Sequence, residues 1–340
     1  MRAADIEEVK SAAFAFGLGD LTQRPRAVAQ AWSNVVYRVD TTKGTFAIKL
    51  FAPAMSHAQQ RRLRRGMALE RRVLETGLIP VPAPVLRQGD WIVELPGTTE
   101  PRLVRSHEWV FGEPAHRPLD HALIEQAGTY LGRLHAMHHV AGDTSQLPHL
   151  DLNRWNRAVQ SATQHGHRFA ADLSHLTPLV QSLAADLDEL RRQRRPMRLS
   201  HGDYDPKNTV ISEAGQLVVT DWDYAGPVLA DVELIVSATS FAETDDAVLD
   251  FVLAYRAAGG DALHADSLAM TAELADLDWL LRNVEASSRP DQTETIHERT
   301  VRDLIASLPA DVESLRAWPS RLSNAVGAGP PSRCTRQPTQ

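Results

Sequence analysis

Apolar and polar positions alternate along two neighbouring runs, NVVYRVD (34–40) and TFAIKLF (45–51), which the turn Thr41-Thr42-Lys43-Gly44 joins. Such period-2 alternation, rich in β-branched and aromatic residues, predicts a β-hairpin. The preceding run PRAVAQAW (25–32) reads as a third strand, and WIVELPG (91–97) and LVRSHEWVFG (103–112) as two more. Residues 5–17 predict a short amphipathic helix, and the Arg-, Leu- and Gln-rich stretch 56–75, free of proline, predicts another. IPVPAPV (79–85) cannot be helical because of its prolines.

Beyond Gly112 the periodicity changes. Residues 121–140, 151–165 and 176–193 repeat at helical spacing. Short β runs follow at RLS (198–200), NTVIS (208–212) and QLVVTD (216–221), and helices then continue to Leu322, with breaks at Gly259-Gly260 and at Arg289-Pro290-Asp291. The predicted architecture is α+β and two-lobed. Residues 1–112 form a small antiparallel sheet lobe with one helix, residues 113–322 a larger and mainly helical lobe, and residues 323–340 a disordered tail of Pro, Gly and Ser composition.

Composition narrows the function classes. The only cysteine, Cys334, lies in that tail, so a disulfide framework and a Cys-based zinc site are excluded and a reducing cytoplasm is the expected compartment. The N-terminus lacks a basic start followed by an apolar run, and no apolar stretch reaches the ~20 residues of a membrane span. Charge is uneven: residues 1–200 hold 26 Lys and Arg against 20 Asp and Glu, whereas residues 201–310 hold 6 against 21. So acidic a second half would repel nucleic acid and raise the local concentration of cations; the counts alone favour a solvated acidic surface, and gain meaning only if catalytic residues sit there.

The densest chemistry is His201-Gly202-Asp203-Tyr204-Asp205-Pro206-Lys207-Asn208, followed after a hairpin by Asp221-Trp222-Asp223. Phosphoryl transfer from ATP needs a carboxylate at the acceptor hydroxyl, oxygen ligands for Mg²⁺ and a cation on the phosphates. Asp203 suits the first role. Asn208 and Asp221 offer the hard oxygens that Mg²⁺ prefers, and the two strands between them run out and back to the same end.

This block resembles the catalytic and metal segments of the aminoglycoside phosphotransferase and choline kinase superfamily, whose pattern is H-G-D, four residues, N, a strand, then D-x-D or D-x-E. The resemblance implies a protein-kinase-like fold with Asp203 as catalytic aspartate and Asn208 and Asp221 as Mg²⁺ ligands. Pro206 sits at the usual proline, whereas Asp205 stands where His is frequent and Lys207 where Gly is. Asp223 either reaches the metal or fixes the loop.

A kinase-like first lobe should place a lysine mid-strand and a glutamate on the next helix to pair with it. Lys49 in TFAIKLF and Glu70 in GMALERRVLE fit. The resemblance further implies a Ser/Asn loop over the phosphates at Ser33 and Asn34, and an adenine seat on the backbone of Glu108, Trp109 and Val110. Walker-type nucleotide binding is excluded by the absence of its glycine motifs, and the absence of D-F-G and A-P-E argues against protein kinase activity.

Other features read as structural. His135 and His139 lie one helical turn apart, but no carboxylate accompanies them at ligand spacing; His201 suits ordering of the loop; Trp279 and Trp318 suit a core. The expectation is an ATP- or GTP-dependent, Mg²⁺-dependent O-phosphotransferase acting on a small cationic acceptor, with no membrane, nucleic acid or obligate protein partner. Asp205, Asp223, Asp231, Glu233, Asp276, Asp278 and Glu285 are the acids that could face such an acceptor. The resemblance makes an aminoglycoside or basic peptide antibiotic plausible as acceptor. A metabolic kinase for choline or homoserine, and an inactive nucleotide-binding module, stay open.

Overall fold

The computed structural model describes residues 3–28, 34–52, 55–95, 102–261, 269–287 and 295–327. The first part of the chain comprises α1 (Ala3–Phe16), β1 (Arg26–Ala27), β2 (Val35–Thr41), β3 (Gly44–Leu50), α2 (His57–Thr76), β4 (Val93–Leu95) and β5 (Arg102–Glu108). Its strands form one antiparallel sheet in the order β1-β2-β3-β5-β4. The predicted hairpin is β2–β3. The strand expected over 25–32 is described only at Arg26–Ala27, with 29–33 outside the described residues.

Two features position the long helix α2. Ser56 Oγ accepts from the Gln59 N–H while Gln59 Oε1 accepts from the Ser56 N–H, a capping box that starts the helix. Gly77, in the left-handed region at φ 62°, ends it. Its buried face is divided. Leu63 and Met67 pack with Phe51 and Trp91. Leu69 and Val73 instead belong to the same core as Leu131, Trp222 and Phe241 of the second half.

The second half runs through β6 (Gly112–Pro114), α3 (His121–Ala136), β7 (Val140–Asp143), α4 (Leu152–Gln164), α5 (Ala170–His175), α6 (Thr177–Gln193) and β8 (Pro196–Ser200). It continues through β9 (Thr209–Ser212), β10 (Leu217–Val219), β11 (Gly226–Val228), α7 (Ala230–Phe241), α8 (Asp245–Ala257), α9 (Ala269–Ala286) and α10 (Ile296–Gly327). Two small antiparallel sheets, β10-β9-β6 and β11-β8-β7, carry the loops of interest on a helical base. The last helix runs to Gly327, beyond the expected start of the tail at 323, because apolar residues such as Val312, Leu315 and Trp318 are buried along it; residues 328–340 lie outside the described residues.

The base is tight where α3 meets α8. A Cβ added at Gly128 would come within 2.2 Å of the Phe251 carbonyl oxygen, and one at Gly132 within 2.3 Å of that of Tyr255. Glycines one turn apart thus let two backbones touch. Among the described residues no helix is long and apolar enough to cross a membrane.

Candidate active site

The loop between β8 and β9 holds Asp203 and Asn208, and the turn after β10 holds Asp221. β9 and β10 pair with Thr209 opposite Val219, so the residues just outside that pair meet. Thr220 donates its N–H (2.8 Å) and its Oγ1 (2.9 Å) to the Asn208 carbonyl. Asn208 Nδ2 in turn donates to the carbonyl of Asp203 (2.8 Å) and to its Oδ2 (2.9 Å). His201 Nε2 donates to the Thr220 carbonyl at 2.9 Å, a contact that fixes its tautomer, and its ring lies against Trp222. The two loops are therefore laced together by main-chain and amide groups.

Glycine is needed within this loop. Gly202 adopts φ +76°, and a Cβ there would lie 2.6 Å from the Tyr224 carbonyl oxygen. Its N–H donates to Glu233 Oε1 at 2.6 Å; Glu233 Oε2 also lies 2.8 Å from His135 Nε2, whose ring reaches Tyr255 through Nδ1. Burial alone would push the Glu233 carboxyl up, but His135, Ser200 and the Gly202 N–H hold it below the ordinary value. Glu233 and His135 thus brace the loop from beneath.

Asp221 is strained. It sits at φ 58° in the left-handed region, where a non-glycine residue costs ~1–3 kcal/mol and persists only when its surroundings impose it. The strain aims its carboxylate at the first-lobe sheet, where Lys49 Nζ lies 2.7 Å from Oδ1. Lys49 also pairs with Asp223 Oδ2 at 2.5 Å. Burial disfavours the ammonium, but Asp223 and Asp221 more than compensate, so its pKa stands above the ordinary value; burial likewise opposes the Asp221 carboxylate, and Lys49 brings its pKa below.

The expected Lys49–Glu70 pair is not what forms. Glu70 on α2 takes Arg105 instead, Oε2 to Nη2 at 3.3 Å, and accepts from His107 Nε2 at 3.0 Å. Arg105 stands directly across the sheet from Lys49, and its Nη1 reaches Asp223 Oδ1 at 3.1 Å. Two like charges on facing strand positions repel; the carboxylate of Asp223 between them removes the conflict. Burial pushes His107 down, with Arg105 adding to it, so the ring is neutral and its Nε2–H serves Glu70. Sequence reasoning missed Arg105 and His107; the one signal for them is a polar run, arginine, serine and histidine at consecutive positions of a predicted strand, and it does not give their partners.

Other expected site residues fall as follows. Asn34 accepts from the Ala52 N–H (3.3 Å), and Ser33 lies outside the described residues. Glu108 and Trp109 give their N–H groups to Ala83 and Thr45, which leaves Val110 as the member of that trio whose N–H is uncommitted among the described residues. Asp231 is buried against Arg195 at 2.6 Å. Asp278 and Glu285 both grip Arg154, at 2.7 Å each, which pulls the acids down and the guanidinium up. Asp205 caps its own turn, Oδ1 accepting from the Lys207 N–H. The side chain of Asp276 lies outside the described residues. Six of the seven acids expected at an acceptor, Asp205, Asp223, Asp231, Glu233, Asp278 and Glu285, are thus engaged by cations and N–H groups of the chain itself. Trp318 is buried as expected, but Trp279 is 39% exposed.

The profile of the Phosphotransferase enzyme family matches residues 25–271, from before the first-lobe sheet to the start of α9, with every residue of the two laced loops. The chain belongs to that family. No curated protein matches this phosphotransferase by sequence. Among solved structures it is similar to spectinomycin phosphotransferase in complex with ADP and spectinomycin, at 13% identity and a TM-score of 0.63, over 90% of this chain and 98% of the other. It is also similar to amicoumacin kinase in complex with AMP-PNP and Ca²⁺ (16%, TM-score 0.60, 91% and 93%). Choline kinase from Streptococcus pneumoniae is a third (14%, TM-score 0.56, 91% and 100%). The fold of this phosphotransferase is the kinase-like one of antibiotic and metabolic small-molecule kinases.

Proposed function

We propose that this phosphotransferase moves the terminal phosphoryl group of ATP or GTP to a hydroxyl of a small molecule, with Asp203 as the carboxylate that orients the hydroxyl and takes its proton. The observation that carries the reading is the unbroken line of contacts Asp203–Asn208–Thr220, with Asp221 next in the chain and Lys49 across the cleft. Lys49 would exchange its carboxylate partners for the nucleotide phosphates, with Arg105 keeping Asp223 in place. Val110 offers a free N–H at the lobe junction for the base.

The donor set suits Mg²⁺. Asn208 points its amide nitrogen at Asp203, so its Oδ1 accepts no hydrogen bond among the described residues, and Asp221 has a second oxygen beyond the one bound to Lys49. One amide oxygen and one carboxylate, completed by phosphates and water, is the ligation Mg²⁺ commonly takes. The bound ion would neutralise the phosphates during transfer.

For the acceptor we put an antibiotic hydroxyl first, by analogy with the spectinomycin and amicoumacin kinases, with amino alcohols such as choline as the second class. Recognition by a wall of free acids is not part of the proposal, since the acids that suggested it are paired internally. A cytoplasmic site of action agrees with the nucleotide requirement.

The test is a nucleotide-coupled assay across spectinomycin, amicoumacin, aminoglycosides, tuberactinomycins, macrolides, choline, aminopropanol and homoserine, read by mass for the gain of one phosphate. Wild type should modify at least one, and Asp203→Ala none. Turnover that survives Asp203→Ala removes the assignment.

A further inference from the structure

The two carboxylate oxygens of Asp203 are held by different kinds of group. Oδ2 accepts from the Asn208 amide. Oδ1 lies 3.0 Å from Lys207 Nζ, whose side chain is 58% exposed. The turn between them explains how a residue four positions on can fold back. Pro206 opens a 3₁₀ turn, and Asp205 closes it twice: its side chain accepts from the Lys207 N–H and its carbonyl from the Asn208 N–H, each at 2.9 Å. Asp205 and Lys207, the two departures from the familiar pattern, are thus one device: the acid sets the turn and the turn delivers the ammonium to Asp203.

We propose that Lys207 is a second catalytic cation, one that contacts the transferring phosphoryl group from the acceptor side; this rests on the function proposed above. Asn208 ties up Oδ2, so Oδ1 is the oxygen an acceptor hydroxyl can bond. The ammonium already sits there. A hydroxyl that bonds Oδ1 shares it with Lys207, which leaves the cation beside the oxygen where the new P–O bond forms. In the transfer, the acceptor O–H gives its proton to Asp203 and its oxygen bonds to the terminal phosphorus. The bond from that phosphorus to the bridging oxygen breaks, and its electrons leave with the nucleoside diphosphate. Once protonated, Asp203 no longer holds an ammonium electrostatically, just as the phosphoryl oxygens offer negative charge. A flexible four-carbon stem lets Lys207 follow that charge as a point cation. Lys49, buried between Asp221 and Asp223, serves the other side of the cleft.

The proposal can be tested without knowing the acceptor. Calorimetric titration of wild type, Lys207→Met and Lys207→Arg with MgADP, and with MgADP plus aluminium fluoride as a mimic of the transferring group, separates the two ends of the nucleotide. Lys207→Met should bind MgADP within about twofold of wild type but lose about tenfold or more on the fluoride complex, as expected when one preorganised charge is removed. Lys207→Arg should recover part of the loss. The exposed side chain predicts unchanged melting for both. A fluoride complex bound by Lys207→Met as tightly as by wild type overturns the role of Lys207. Failure of wild type to bind MgADP or MgGDP at all overturns the functional reading beneath it.

Discussion

Lys49 Nζ lies 2.7 Å from Asp221 Oδ1, so the ammonium of the first-lobe sheet and a carboxylate of the second-lobe loop neutralise each other across the cleft. Asp223, buried beside them, shares the same cation. Lys49→Met removes it and leaves two carboxylates facing only Arg105. Breaking a buried pair from one side costs ~3–5 kcal/mol; with Asp221 partly exposed, a loss of about 3 kcal/mol is expected in urea unfolding. Nucleotide affinity by calorimetry should fall at least tenfold alongside, and an unchanged affinity would disprove the phosphate-gripping role.

Arg105 joins three elements: its own strand, helix α2 through Glu70 and the loop through Asp223. Arg105→Met should destabilise by about 3–5 kcal/mol, because Glu70 loses its main countercharge in a fully buried place. Glu70→Gln alone should cost less, and the double variant less than the sum of the two. A strictly additive double-mutant cycle would mean that the pair is not coupled.

Helix α2 touches the loop after β10 through a glycine. A Cβ at Gly66 would stand 2.2 Å from the Trp222 carbonyl oxygen, which lies next to Asp221. Gly66→Ala improves helix propensity by about 1 kcal/mol yet must displace that backbone. Activity should drop at least tenfold although far-UV circular dichroism stays the same. Full activity would show that the contact is dispensable.

His107 is neutral in the fold because burial, with Arg105 beside it, holds its pKa below the ordinary 6.5, against the opposing pull of Glu70 and Asp223. The unfolded chain therefore takes up a proton at His107 before the folded chain does. Stability from this group is complete above pH 6.5 and declines as pH falls from there towards the lowered folded value. His107→Gln, which keeps a donor for Glu70, should flatten that part of the stability–pH curve. A slope equal to that of wild type refutes the assignment.

Glu233 carries the floor of the Asp203 loop through Gly202 and His135. Glu233→Gln should leave nucleotide binding nearly intact and lower kcat by about tenfold to a hundredfold, since a misplaced carboxylate at Asp203 costs rate more than affinity. A pure rise in nucleotide KM would argue against this.

Much of this was legible in the chain. The β2–β3 hairpin showed itself because half-buried strands alternate, and the 201–223 block because two loops joined by one short hairpin keep a fixed spacing in the chain. The strands β6, β7 and β11 did not, because each short run carries Gly or Pro, which read as turn residues, whereas the equally short β9 and β10 are rich in Val, Ile and Leu. Pairings were the least readable part. Arg154 finds Glu285 131 residues away, and Arg105 finds Asp223 118 residues away. Nothing local in a run of acids tells whether a carboxylate faces a ligand or an arginine from a distant helix. The same holds for Glu70, whose position on α2 was evident while its partner was not.

The divided face of α2 limits how the enzyme can breathe. With Leu69 and Val73 sunk in the same core as Trp222 and Phe241, the helix is anchored to the lower half of the molecule although it is encoded in the upper. The same helix holds the β-sheet through Leu63 and Met67 against Phe51 and Trp91 and through the Glu70–Arg105 bridge, so α2 splices the two halves of the molecule together.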